Sequence, residues 1–138
     1  MEIREMKIKD YQKVYSLWEE TDIILKKSDE KQEIDRMLKR NPYTCLVGLR
    51  DDEIVSVVMG GFDGRRGYVH HLAVKPELQG QGLGREMMDE LMNRFEELKV
   101  IKVHLFVEEN NKDVKAFYRN IGFEERTDLT DFSKTLIK

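Results

Sequence analysis

The sequence predicts an α/β (α+β) domain, and three observations carry that expectation. Apolar residues recur with two periods, every second residue in some segments and every third or fourth in others. Seven of the nine glycines fall between positions 60 and 84, which concentrates the turns in one block. The length of 138 residues, 40% of them hydrophobic, suits one core over 1–138, burying roughly two-thirds of the chain surface without disulfides or metals.

The elements follow in order. Glu2 to Ile8 alternates imperfectly and reads as a strand. Asp10 can cap a helix from Tyr11 to Glu20, with Val14, Leu17 and Trp18 on one face. A second helix starts at Ser28 or Asp29 and runs to Arg40, where Asn41-Pro42 stops it. Tyr43–Arg50, Ile54–Gly61 and Tyr68–Val74 are three short strands joined by Asp51-Asp52-Glu53 and by Asp63 to Gly67, the pattern of an antiparallel meander. After Pro76 the period turns helical, with Leu83, Met87, Leu91, Phe95 and Leu98 on one stripe. A strand at Val100–Val107, a helix at Asn111–Asn120 ended by Gly122, and a closing strand pair at Phe123–Arg126 and Phe132–Ile137 complete the order β-α-α-β-β-β-α-β-α-β-β.

Composition excludes several classes. No run approaches 18 apolar residues, so no membrane partner is expected. The opening MEIREMKIKD lacks the apolar stretch of a secretory leader, and a cytoplasmic location is expected. The lone Cys45 makes no internal bridge, and no Cys/His spacing suggests a metal site. A net charge of −3 with interspersed signs argues against nucleic acid.

The densest signal is His70-His71-Leu72-Ala73-Val74-Lys75-Pro76-Glu77-Leu78-Gln79-Gly80-Gln81-Gly82-Leu83-Gly84-Arg85. A strand ends, and a glycine-rich loop opens a helix. The first amides of a helix lack partners and carry partial positive charge, and glycines let a phosphate approach them. The pattern is neither a Walker loop nor a dinucleotide fingerprint, because no Gly-Lys-Ser/Thr follows and the glycines at 80, 82 and 84 are wrongly spaced.

Gln79-Gly80-Gln81-Gly82-Leu83-Gly84 resembles the acyl-CoA signature of the GNAT acetyltransferase superfamily, and Leu72 to Glu77 resembles that family's fourth strand. A second motif, Asn111, Val114, Phe117-Tyr118 and Ile121-Gly122-Phe123, is similar to the family's Asn…Ala…Tyr…Gly-Phe segment, with valine where alanine is usual. The resemblance implies the GNAT fold, a mixed and mostly antiparallel sheet flanked by about four helices. It implies acetyl-CoA as co-substrate, entering where the strand of Leu72 and Val74 parts from the next. Main-chain groups of Leu72, Ala73 and Val74 would pair with the pantetheine arm. The loop Gly80, Gln81, Gly82, Leu83, Gly84 and Arg85 would hold the pyrophosphate, with Gln79 bracing it and Lys75 and Arg85 adding local positive charge. Asn111 would bond the arm, or serve only as a helix cap. Tyr118 matches the family's position for the acid that protonates the departing thiolate.

For the base, His70 shares alternating parity with Tyr68, Leu72 and Val74, and some relatives that acetylate small amines place a histidine at this spacing. The glutamate that other relatives use is absent, since Tyr68 and Phe106 stand where it is expected. His71 and His104 read as ordinary strand residues. Relatives grip the acceptor with the segments matching Thr21–Lys27 and Thr127–Asp131. Trp18 is either a floor for that site or core. The expected activity is direct transfer of acetyl, in a ternary complex, to a small or amino-acid-like amine. A protein N-terminus or lysine is the second choice, and a non-catalytic acyl-CoA-binding module the third. A monomer or homodimer is expected.

Overall fold

Tight turns between β-rich segments leave little choice but to pair neighbours, and the meander forms as expected. In the computed structural model, which describes residues 1–138, β1 (Glu2–Glu5), β2 (Cys45–Arg50), β3 (Glu53–Phe62) and β4 (Gly67–Val74) pair antiparallel. β5 (Val103–Leu105) joins β4 in parallel, giving the order β1-β2-β3-β4-β5. A parallel neighbour needs a crossover, and helix α3 (Leu83–Glu97) supplies it. The chain divides into two compact units, Met1–Leu105 and Phe106–Lys138.

In the first unit, successive strand residues face opposite layers. A Cβ on Gly60 would meet Leu91 and Phe95 of α3, whereas one on Gly61 would meet Met37. Helices α1 (Tyr11–Glu20) and α2 (Lys31–Arg40) therefore cover one face and α3 the other. Val14, Leu17, Trp18, Ile34 and Leu38 pack against Val47, Val57 and Met59 on the α1/α2 face. Leu83, Met87, Met88, Leu91 and Phe95 are the buried residues of α3. Gly60 is where a helix meets the sheet backbone, since its Cβ would lie 2.6 Å from both the Thr44 carbonyl and Leu91 Cδ1. Gly60→Ala is expected to lower stability by roughly 1–3 kcal/mol in urea unfolding, and an unchanged midpoint would show that this contact yields freely.

Two helix starts differ from the sequence expectation. Asp10 makes no side-chain cap to α1. Its carboxylate instead accepts the Lys7 amide at 2.8 Å and two bonds from Arg4. α2 begins at Lys31 rather than at Ser28 or Asp29, because Lys27–Asp29 forms a separate turn with the Asp29 carboxylate on the Lys26 amide at 3.0 Å. β5 is shorter than Val100–Val107: Lys99 has a positive φ and Ile101 is 95% exposed, so only the three residues facing β4 pair.

In the second unit, α4 (Lys112–Asn120) is capped by Asn111, whose Oδ1 accepts the Val114 amide at 3.2 Å. Gly122, at φ +100°, ends it, and the Phe123 amide closes on the Tyr118 carbonyl at 2.9 Å. The strands expected at Phe123–Arg126 and Phe132–Ile137 do not form. Leu129, Phe132, Leu136 and Ile137 are all exposed, so no buried apolar face sets a register, and a two-stranded hairpin alone is marginal. Arg126 pairs instead with Asp128 at 3.0 and 2.9 Å. No helix is long and apolar enough to cross a membrane.

Candidate active site

The site begins where β4 loses one neighbour. Its ladder to β5 runs Gly67–Val103, Tyr68–His104 and Val69–Leu105 and stops there, while β3 continues alongside as far as Val74. From His70 to Val74 one side of β4 has no strand partner. An extended ligand with amide groups can pair with such an edge as an added strand. Leu72, Ala73 and Val74 lie on this stretch.

Past the strand, a turn at Pro76–Leu78 leads into the loop. The Gln79 side-chain amide donates to the Val74 carbonyl at 3.0 Å, tying the loop to the strand end. Gly80 and Gly82 have φ of +80° and +85°, the left-handed region that glycine adopts without strain. A Cβ at either would meet open space, so backbone conformation rather than crowding demands glycine there. Gly82 is the N-cap of α3 and offers no side chain to it. Its carbonyl accepts the Glu86 amide at 3.1 Å, while the amides of Leu83, Gly84 and Arg85 precede the first intrahelical bond. Leu83 is buried and anchors the first turn, and Arg85 is exposed. Gln81 lies 3.5 Å from Arg50. Lys75, expected to add positive charge beside the loop, pairs with both Glu53 and Glu77.

The histidines depart from simple alternation. β3 and β4 pair Met59 with His70 and then Val57 with Ala73, so two residues of β4, His71 and Leu72, oppose one of β3. His71 takes φ +52° at this bulge. Val74, paired with Ser56, is brought to the other face: a Cβ on Gly48 would meet the Ser56 hydroxyl and Met87 of α3, whereas Met59 belongs to the α1/α2 cluster. The parity expected for His70 with Val74 is thus broken, because the extra residue inverts every later side chain. His70 keeps the face of Tyr68, which pairs with Gly61 on the α2 side. His70 is exposed as a residue, yet desolvation of its ring lowers its pKa, and the neighbouring His71 lowers it further against the opposing pull of Asp29.

His71 was the unforeseen participant. Its Nε2 lies 2.7 Å from Asp29 Oδ1, and its ring meets the edge of Trp18 with centroids 5.1 Å apart. Burial disfavours the Asp29 carboxylate, but hydrogen bonds from His71 and from the Lys26 amide outweigh it and lower its pKa. Tyr11 adds a bond to the Asp29 carbonyl at 2.7 Å. Trp18 is fully buried and part of the core rather than an open floor, and its indole N–H has no hydrogen-bond partner. No sequence signal marks this group: Asp29 and His71 lie 42 positions apart. Cys45 is no alternative nucleophile, because burial pushes its thiol up to about 12.

In the second unit, Tyr118 stacks edge-on between Phe117 and Phe123, with centroids at 5.0 and 5.6 Å. Burial pushes its phenol up to about 12, so it holds its proton throughout the physiological range. Asn111 is occupied as the α4 cap described above. No group of three or more His, Cys, Asp or Glu side chains is arranged to hold a metal ion.

Comparison with known proteins agrees with this geometry. The family model described as the acetyltransferase (GNAT) family matches residues 9–123. An acetyltransferase of Pectobacterium atrosepticum is 34% identical over 138 residues, covering 100% of this chain and 97% of its own. Among solved structures, Ard1 from Thermoplasma volcanium superposes with a TM-score of 0.81 at 22% identity, over 89% of this chain and 82% of that one. The PaiA N-acetyltransferase from Thermoplasma acidophilum, solved in complex with coenzyme A, gives 0.80 at 17% identity over 89% of each chain. With a family model covering most of the chain and a relative aligned end to end, this chain belongs to the GNAT acetyltransferase family.

Proposed function

We propose that residues 1–138 form one acetyl-CoA-dependent N-acetyltransferase domain that moves acetyl directly to a small or amino-acid-like primary amine within a ternary complex. The observation that carries the donor half is the pairing of an open β4 edge with a glycine-lined helix start. The edge suits the amide-bearing pantetheine arm, through main-chain groups of Leu72, Ala73 and Val74. The amides from Gly80 to Arg85 suit the pyrophosphate. The likeness to a relative solved with coenzyme A supports the same donor.

For the chemistry, a primary ammonium must lose a proton before it attacks the thioester carbonyl. His70 is our candidate acceptor of that proton, since desolvation keeps its imidazole neutral to lower pH. A backbone N–H on the Leu72–Val74 edge would stabilise the oxyanion. The C–S bond then breaks, and Tyr118 supplies a proton to the thiolate. The small-amine reading is favoured over a peptide N-terminus by His70 and by the absence of a glutamate at Tyr68 or Phe106.

Acetyl-CoA should raise the melting temperature, with stabilisation of about 2.7 kcal/mol at a hundredfold excess over Kd. Gly82→Val should abolish the shift, because a β-branched residue does not hold a positive φ and its Cβ enters the phosphate approach. No shift in the wild type would sink the donor assignment. Acceptor identity is then read from free-thiol release with acetyl-CoA across a set of primary amines and short peptides; release only with peptides would replace the small-amine reading.

A further inference from the structure

We propose that Asp29 and His71 are a positioning pair that locks the β4 bulge to the turn before α2 and so holds the neighbouring His70 in place. The inference rests on the acetyl-transfer reading above and adds two residues to it.

Adjacent side chains on a strand point to opposite faces. Here they do not. His70 pairs with Met59, a member of the α1/α2 cluster, and His71 reaches Trp18 and Asp29 on that same side. A non-glycine residue at φ +52° is strained, and such a conformation persists where its surroundings enforce it. What enforces it is visible. Asp29, 6% exposed, accepts from His71 through one oxygen and from the Lys26 amide through the other, while its carbonyl accepts from Tyr11. An ionised carboxylate can only accept, so His71 donates through Nε2. The bond thus fixes ring, bulge and turn together, at the first residues where β4 has no partner on the β5 side.

This turn lies at the end of Thr21–Lys27, the segment expected to grip the acceptor. One hydrogen bond therefore couples the acceptor side of the site to the strand that would carry its base. The titratable groups that act on His70 are His71 beside it and Asp29 from the turn; α1 contributes the Trp18 ring against His71 and the Tyr11 hydroxyl against Asp29. The two groups act on His70 in opposite directions, and that opposition makes the idea testable.

The His70 titration is followed by NMR in wild type, His71→Asn and Asp29→Asn, with no acceptor present. Asparagine tolerates the left-handed region, so His71→Asn should fold, and His71→Gly provides a second variant free of backbone strain. Loss of His71 should move the His70 midpoint to higher pH, and loss of the Asp29 charge should move it lower. The acid limb of kcat/KM, measured with whichever amine releases most thiol, should follow in the same two directions, with kcat/KM reduced by about 10²-fold in each variant and acetyl-CoA thermal stabilisation retained. A merely structural tie would change stability without opposite midpoints. Unmoved midpoints, or midpoints moving the same way, overturn the proposal. Absence of acetyl-CoA stabilisation in the wild type would instead overturn the underlying acetyl-transfer reading.

Discussion

Phe95→Ala is expected to cost about 3–5 kcal/mol of folding stability and to lower the melting temperature by roughly 10–20 °C. Phe95 is 1% exposed near the end of α3. Its ring lies 3.0–3.3 Å from where a Cβ of Gly67 would stand and 3.1 Å from that of Gly60. Two glycines on neighbouring strands thus make room for one ring, and removing it leaves a cavity that the sheet backbone cannot collapse into. Gly67 is also the first residue of the β4–β5 ladder, and its amide bonds the Lys102 carbonyl at 3.0 Å. The same substitution should therefore weaken acetyl-CoA binding, because the ring supports one end of the short β4–β5 ladder, whose other end at Val69–Leu105 is where the two strands part. Urea unfolding checks the first effect and thermal shift with acetyl-CoA the second. A loss below 1 kcal/mol would show that α3 repacks without it.

The largest catalytic effect is expected from Tyr118→Phe, a fall in kcat of about 10²–10⁴-fold with acetyl-CoA affinity nearly unchanged. The substitution removes one hydroxyl and keeps the ring that packs against Phe117 and Phe123, so α4 should stay folded. A phenol held near 12 is still protonated when the thiolate departs, which suits a donor and not a base. The effect should be uniform from pH 6 to 9, unlike the limb assigned to His70. Unchanged turnover would remove Tyr118 from the chemistry and leave water to protonate the thiolate.

Local features were the legible ones. The meander follows from short strands and tight turns, α3 from a stripe at helical spacing, and the loop from glycines at 80, 82 and 84. Gln79 was expected to brace that loop, and its bond to the Val74 carbonyl is such a brace. The closing strands were over-read: a few apolar residues between charges satisfied the pattern at 123–137, but a strand also needs a partner and a buried face. Asp10 was over-read as a helix cap for a related reason: its carboxylate takes the Lys7 amide instead. A carboxylate at the start of an apolar run has several amides within reach, and only the folded chain shows which it takes.

The family, the glycine loop before α3 and the order of the main elements were thus determined by sequence alone, because each depends on residues close together in the chain. The bulge, the reversal of parity after His70 and the meeting of Asp29 with His71 were decided by tertiary structure. A one-residue offset between β3 and β4 leaves no mark in composition or periodicity, yet it inverts every side chain that follows. It is this offset that sets two consecutive histidines on one face and brings one of them within 2.7 Å of a carboxylate 42 residues away.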